Sequence, residues 1–131
     1  MRVRTCLVLL LCLLACGGCG RQSTDQLIED LKSPQERDRL IAARLLPQRK
    51  GESAQVVPAL MEALKDKGND IRLSAAIGLG YFGEQARDAI PLLQGAQKDS
   101  DRRVRDAAGL ALSRIDPAHF QPPKGRPARG K

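Results

Sequence analysis

The sequence predicts an all-α fold built from three helical hairpins that repeat every 33 residues. The repeat is visible without a gap, because Arg39, Arg72 and Arg105 share this spacing. Two further triplets share it as well: Ala42, Ala75 and Ala108, and Leu46, Leu79 and Leu112. No segment shows a sustained alternation of period two, which argues against strands.

Helical periodicity predicts two helices in each repeat. The first carries larger apolar residues such as Leu27, Leu60 and Leu93, with further apolar residues at helical spacing. The second is rich in alanine, which favours helix and lets helix axes approach closely. The predicted helices cover residues 24–32, 35–47, 54–65, 69–81, 86–98 and 101–115.

The residues between these helices are typical of helix ends. We expect Ser33, Asp66 and Asp99 to cap the second helix of their hairpins. Pro58 and Pro91 are expected in the first turns of their helices, where a missing N–H costs least.

The repeated unit resembles HEAT repeats, particularly the short bacterial HEAT-like type. The pattern Pro-x-Leu, Asp, Ile/Val-Arg-x-x-Ala-Ala, Leu occurs at Pro58, Leu60, Asp66, Ile71, Arg72, Ala75, Ala76 and Leu79. It occurs again, with Gly109 in place of the second Ala, at Pro91, Leu93, Asp99, Val104, Arg105, Ala108 and Leu112. In the first unit Asp25, Ser33 and Asp38 replace the Pro, Asp and Val, as a terminal repeat tolerates. The resemblance covers roughly residues 25–116 and implies a short α-solenoid whose second helices line a concave face.

In HEAT repeats the turn Asp and the helix Arg stack as a ladder between neighbouring units. By position, the resemblance implies a structural ladder made of Asp66 and Asp99 with Arg39, Arg72 and Arg105. The functional alternative is that these arginines bind an anion.

The N-terminus has the features of an export signal. Arg2 and Arg4 precede an apolar run from residue 6 to residue 16, which as a helix would span only ~16 Å. That is too short for a comfortable membrane span and suits the apolar part of a secretory signal. A membrane-spanning anchor remains an alternative.

The residues Leu13-Leu14-Ala15-Cys16 resemble the lipobox of bacterial lipoproteins. That resemblance implies lipidation of Cys16 and cleavage just before it, with Cys19 as the alternative. A signal peptide without lipid is another possibility. The spacing of Cys16 and Cys19 could also suit a metal or disulfide exchange, but no second pair completes a zinc site.

The charge is concentrated at the two ends of the chain. The formal net charge of the chain is +7. Two of the basic residues lie before residue 21 and four lie after residue 116, so residues 21–116 hold 16 basic and 15 acidic residues, a net charge of +1. The four terminal cations, Lys124, Arg126, Arg129 and Lys131, lie in a Pro/Gly-rich tail that we expect to be disordered. The tail either solubilises the chain or contacts an anionic surface. A near-neutral body with three aromatic residues argues against nucleic acid.

Two features that suggest chemistry lack the required context. Residues 78–83 match GxGxxG, but a dinucleotide site needs that turn between a strand and a helix, whereas this one ends a predicted helix. His119 lies past the last helix, with no orienting partner or pocket in view. We therefore predict no catalytic, metal-binding or cofactor-binding residues.

One stripe on the second helices is a candidate partner-binding surface, because HEAT geometry turns it toward the concave side. Its residues follow a spacing of four within each helix. They are Leu40, Arg44 and Gln48, then Leu73, Ile77 and Tyr81, then Asp106, Leu110 and Arg114. The alternative is that Leu73 and Ile77 belong to the core.

The predicted organisation is a signal peptide (1–15), a tether (16–23), a HEAT-repeat domain (24–116) and a basic tail (117–131). We expect an exported, lipid-anchored protein of the bacterial cell envelope, on its periplasmic or extracellular side. Its predicted function is protein–protein interaction without catalytic activity. One alternative is an enzyme or enzyme accessory related to phycobilin lyases, because HEAT-like repeats also occur there. Another is a structural envelope protein whose tail contacts anionic surfaces.

Overall fold

The computed structural model describes residues 22–121, which form three successive helical hairpins without a strand in that range. The α-helices are α1 (Thr24–Asp30), α2 (Glu36–Leu45), α3 (Ser53–Ala63), α4 (Asn69–Phe82), α5 (Ile90–Ala96) and α6 (Arg102–Ile115). The predicted all-α solenoid is confirmed. Residues 1–21, with Cys16 and Cys19, and the tail residues 122–131, with Lys124, Arg126, Arg129 and Lys131, lie outside the described residues.

The core repeats with the same period as the sequence. Leu27, Leu60 and Leu93 are each 0% exposed, so the three first helices point the same residue inward. On the second-helix side, Leu46, Leu79 and Leu112 are buried to the same extent. Each such side chain stabilises the fold by about 2 kcal/mol, because folding removes its apolar surface from water. The array is therefore held by equivalent contacts between neighbours.

Small residues bring the second helices close together. Gly78 and Gly80 of α4 are both buried, and a Cβ on Gly80 would lie 3.1 Å from the Cα of Ala111 in α6. A Cβ on Gly78 would lie 2.6 Å from Cγ of Pro47. The GxGxxG match therefore marks helix packing. Its last residue, Gly83, has a φ of 53° just after α4, a conformation that favours glycine.

Two predictions about proline and helix starts need correction. Pro58 is not in a first turn, because α3 begins at Ser53 and Pro58 lies inside it. Because proline has no N–H, the carbonyl of Ala54 lacks its hydrogen-bond partner within the helix. Pro58 and Ala54 are both exposed, so water can bond this carbonyl instead. The helix predicted to begin at residue 86 begins at Ile90, after a 3₁₀ segment, Gly83–Ala89. Pro91 lies in the first turn of α5, as expected.

The predicted caps are also wrong in detail. Asp66 and Asp99 accept hydrogen bonds from the backbone N–H two residues on, at Gly68 and Asp101, with distances of 2.8 Å each. They therefore close the turn between helices without capping the helix itself. Asp101 is the residue that caps α6, accepting from the N–H of Arg103.

The departures of the first repeat fit its terminal position. Asp38 occupies the place of Ile71 and Val104, which are fully buried in the other two repeats. Asp38 is exposed and accepts a hydrogen bond from the Ser33 hydroxyl at 3.0 Å. A terminal repeat packs against only one neighbouring repeat, so a polar residue at this position does not remove apolar contacts from the core.

No helix among residues 22–121 combines the length and apolar character that crossing a bilayer requires.

Candidate functional site

The second helices line a groove that crosses all three repeats. It consists of two adjoining cavities of about 530 Å³ and 410 Å³, which share Ile77 and Tyr81. The first runs between α2 and α4, and the second between α4 and α6. Eight of the nine residues of the predicted stripe line one or both cavities: Arg44, Gln48, Leu73, Ile77, Tyr81, Asp106, Leu110 and Arg114. Leu40 lines neither cavity.

The floor of the groove is apolar and open to solvent. Ile77 is 43% exposed, Tyr81 59% and Leu110 41%, and Leu73 is half-buried. The sequence left open whether Leu73 and Ile77 belong to the core. The structure leaves Ile77 partly exposed at the surface of α4, whereas its neighbours Ala76 and Gly78 are buried.

Two carboxylates in the groove are held by arginines. Nη2 of Arg103 lies 2.9 Å from Oδ1 of Asp70, an ion pair between α6 and α4. Nε of Arg102 lies 3.5 Å from Oδ2 of Asp106, one turn away on α6. Exposed pairs such as these contribute little to stability, but they fix the direction of the side chains at the groove edge.

Three cations of the groove have no carboxylate partner among residues 22–121. Arg44 and Lys50 line the first cavity, and Arg114 lines the second. The guanidinium carbon of Arg114 lies 5.8 Å from the centre of the Tyr81 ring, a cation–π contact that orients both side chains. The groove therefore combines an apolar floor with a basic rim.

Sequence reasoning missed three charged residues of this site. Lys50, Asp70 and Arg103 line the first cavity, although they lie outside the stripe of spacing four. Lys50 lies in a 3₁₀ turn after α2, and the other two lie in the first turns of α4 and α6. Asp70 and Arg103 are 33 residues apart, so the repeat itself was a signal that they are neighbours.

The arginine positions implied by the HEAT resemblance form bonds between repeats. Nε of Arg39 donates to Oδ2 of Asp66 at 2.7 Å, and Nε of Arg72 donates to Oδ2 of Asp99 at 2.8 Å. In both pairs Nη2 donates to the other carboxylate oxygen, at 3.3 Å and 2.9 Å. The pairs are largely buried, so these arginines are engaged in structure and are not open to an anion.

The third ladder arginine, Arg105, donates hydrogen bonds to backbone carbonyls but to no carboxylate in the described range. Nη1 of Arg105 donates to the carbonyls of Asp99 and Ser100, at 2.7 Å and 3.0 Å, as Nη1 of Arg72 does to Asp66 and Lys67. No Asp or Glu follows Asp116 in the sequence. Within the described range Arg105 has no carboxylate partner.

The ladder shifts the titration of its carboxylates. Hydrogen bonds from Arg72 lower the pKa of Asp99 against the opposing effect of burial. Burial works to raise the pKa of Asp66, but the hydrogen bonds from Arg39 and from the N–H of Gly68 outweigh it, so that this pKa is lowered as well. Arg103 donates through its side chain and its backbone to Asp101, whose pKa falls to about 2.

His119 has a partner that the sequence did not reveal. Its Nδ1 lies 2.7 Å from Oδ2 of Asp116, which corrects the expectation that no orienting group is near. The His119 side chain is 76% exposed and lines neither cavity of the groove. Among residues 22–121, no group of three His, Cys, Asp or Glu residues has the geometry to hold a metal ion.

Residues 24–117 match the family of HEAT repeats, and the chain belongs to that family. No curated protein matches the sequence. Among solved structures, the chain is similar to one from the complex of CpcE and CpcF of phycocyanin lyase from Nostoc sp. PCC7120, with a TM-score of 0.67 and 28% identity. The match covers 77% of this chain but 40% of the other, so this chain spans less than half of its neighbour.

This similarity overturns one prediction. The sequence led us to expect a protein without catalytic activity, and that expectation is wrong, because the structural neighbour belongs to a lyase and points, at a distance, to an enzyme-related protein. The finding favours the lyase-related alternative over the non-catalytic scaffold. It also supports protein–protein interaction, since the neighbour was solved as a complex of two proteins.

Proposed function

We propose that this protein is a lyase-related enzyme or enzyme accessory that holds a protein substrate or a second subunit in its groove. The observation that carries the proposal is the 28% identity to a chain of the phycocyanin lyase complex over 77% of this chain. The HEAT-repeat match, residues 24–117, contains every residue that lines the groove.

The groove side chains suit binding and orientation. The exposed floor at Ile77, Tyr81 and Leu110 offers apolar surface of the kind that protein interfaces cover. Two hydroxyl side chains line the groove, Tyr81 and Ser74. Oγ of Ser74 donates to the backbone carbonyl of Asp70 at 2.8 Å. These properties suit a protein that binds and orients a client polypeptide.

The test is binding and pigment attachment with phycocyanin apoprotein. The purified chain is mixed with the apoprotein and a free phycobilin, and covalently attached pigment is measured after denaturation. We expect attachment or a stable complex, which the double variant Tyr81→Ser with Arg114→Ser weakens. Ile41→Ser is the matched control, because Ile41 is 42% exposed and lines neither cavity. Absence of both a complex and attached pigment would overturn the lyase relationship.

We also propose that the mature protein is tethered in the bacterial envelope through lipid on Cys16, or alternatively on Cys19. The support is the sequence Leu13-Leu14-Ala15-Cys16 after a short apolar run. The intact mass of the mature protein distinguishes the two cysteines. A mass that retains residues 1–15 contradicts the tether.

The basic tail is proposed to add contact with an anionic surface. Each cation near such a surface contributes about 1 kcal/mol, and salt weakens the attraction. A chain truncated at Asp116 should leave membranes at lower salt than the complete chain does. Equal release from the membrane contradicts this role.

A further inference from the structure

The charges of the described residues are distributed unevenly. Residues 22–121 hold 15 basic and 15 acidic residues, so this part of the chain is neutral as a whole. The groove lining holds the four cations Arg44, Lys50, Arg103 and Arg114, but only two carboxylates. Positive charge is therefore concentrated where the apolar surface is exposed.

The two carboxylates of the groove do not neutralise its free cations. Asp70 is bound by Arg103 and Asp106 by Arg102, each in a pair of opposite charges. Arg44, Lys50 and Arg114 remain without a carboxylate in the described range. Burying an uncompensated cation in an interface is costly, so a ligand that covers this groove must bring negative charge of its own.

The free cations lie on both sides of the apolar floor. Arg44 and Lys50 line only the first cavity, Arg114 lines only the second, and Ile77 and Tyr81 line both. A complementary ligand therefore has an apolar centre with acidic groups on either side of it. The floor is mainly aliphatic, with Tyr81 as the one aromatic residue of the lining, which suits side chains better than stacked bases.

We infer that the groove recognises a segment of a partner polypeptide in which apolar side chains are flanked by Asp or Glu. The apolar side chains cover Ile77, Tyr81 and Leu110, and the carboxylates pair with Arg44, Lys50 and Arg114. This inference rests on the proposed function of the groove as the protein-binding site, and it names the chemical class of the segment that binds there.

The test is titration of the complete chain with two labelled synthetic peptides, measured by fluorescence anisotropy. One peptide has a pair of leucines flanked by glutamates, and the other has the same sequence with glutamine in place of each glutamate. We expect the acidic peptide to bind at least about tenfold more tightly at low salt, with the advantage falling as salt rises.

Variants of the rim identify the site of binding. Arg44→Gln, Lys50→Gln and Arg114→Gln together should remove the preference for the acidic peptide, because these side chains make no ion pair that the fold needs. The control carries Arg37→Gln and Lys98→Gln, two exposed cations outside both cavities, and should retain the preference. Ile77→Ser with Tyr81→Ser should weaken the binding of both peptides.

Several outcomes overturn the inference. Equal affinity for the two peptides removes the role of charge, and equal losses in the rim and control variants remove the role of the groove. Tighter binding to anionic vesicles or to inorganic phosphate than to the acidic peptide assigns the cations to another ligand. Failure with phycocyanin apoprotein but success with the acidic peptide overturns only the lyase relationship, whereas failure of both peptides overturns this inference alone.

Discussion

The guanidinium of Arg72 forms two parallel hydrogen bonds with the carboxylate of Asp99, Nε to Oδ2 at 2.8 Å and Nη2 to Oδ1 at 2.9 Å. Both side chains are largely buried, and they lie 27 residues apart in consecutive repeats. The same guanidinium donates through Nη1 to the carbonyls of Asp66 and Lys67 in its own hairpin turn. One side chain thus ties its own turn to the next one, which makes the pair a sensitive position for testing how the array is held together.

Asp99→Asn should lower the free energy of unfolding by about 1.5–3 kcal/mol, because Arg72 then loses a charged, largely buried acceptor. Urea denaturation measures the change through its midpoint. Asp88→Asn is the control, since Asp88 is exposed and makes no ion pair in the described range, and it should change stability by less than about 0.5 kcal/mol. Equal midpoints for the two variants contradict the importance of the pair.

Arg72→Lys should cost more stability than Arg105→Lys. A lysine has a single ammonium group, so it cannot form two parallel hydrogen bonds with Asp99 and also donate to two backbone carbonyls. We therefore expect the free energy of unfolding to fall by about 2 kcal/mol in Arg72→Lys. Arg105 makes only the two carbonyl contacts, and we expect a loss of about 1 kcal/mol or less there. Thermal and urea unfolding of the two variants give the comparison, and a larger loss at position 105 contradicts it.

Stability should fall in acid as Asp66 and Asp99 of the ladder and Asp101 at the start of α6 gain protons. The pKa values of Asp66, Asp99 and Asp101 are lowered in the folded protein, the last to about 2. A carboxylate with a folded pKa below its unfolded value stabilises the protein above the unfolded pKa, near 4, and this contribution is lost as the pH falls through the folded pKa. We therefore expect the urea midpoint to decrease from about pH 4 toward about pH 2, and Asp99→Asn to flatten that decrease. An unchanged slope in the variant argues against the assignment.

Gly78→Ala should destabilise the protein by about 1–3 kcal/mol, because the new methyl group would meet the ring of Pro47 and a methyl group of Leu60. Gly95→Ala is the matched control in helix α5, where nothing lies within 4 Å of the added Cβ. There alanine should be neutral or stabilising by about 0.5–1 kcal/mol, since it restricts the unfolded chain and favours helix. The difference in melting temperature between the two variants is the measurement, and equal values contradict the close packing.

Tyr81→Ser should leave folding nearly unchanged, because the side chain is 59% exposed in the groove. Leu79→Ala, two residues earlier on α4, should cost about 2–5 kcal/mol because Leu79 is fully buried. Circular dichroism during heating separates the two cases. A large loss of stability in Tyr81→Ser means that this face of α4 belongs to the core.

The sequence by itself determined the repeat and therefore the order of the helices. A spacing of 33 residues is preserved at Arg72 and Arg105, and at the buried leucines on both sides of the array, because each repeat must present the same surface to its neighbour. The spacing of four along each second helix also predicted the groove stripe, since side chains at that spacing share a helical face. Helix ends were predicted less well: the 3₁₀ segment before Ile90 and the position of Pro58 inside α3 depend on how the hairpin turns pack.

Only the tertiary structure decided which groove residues are exposed and which charges are paired. Ile77 and Leu79 are both apolar and lie on one helix, and the packing of α4 against its neighbours buries Leu79 while it leaves Ile77 in the groove. In the same way, Arg103 reaches Asp70 across two helices, whereas Arg44 and Arg114 have no carboxylate in the described range. Periodicity fixes the face of the helix on which a side chain lies, but the distance between charges depends on how the helices are placed in three dimensions.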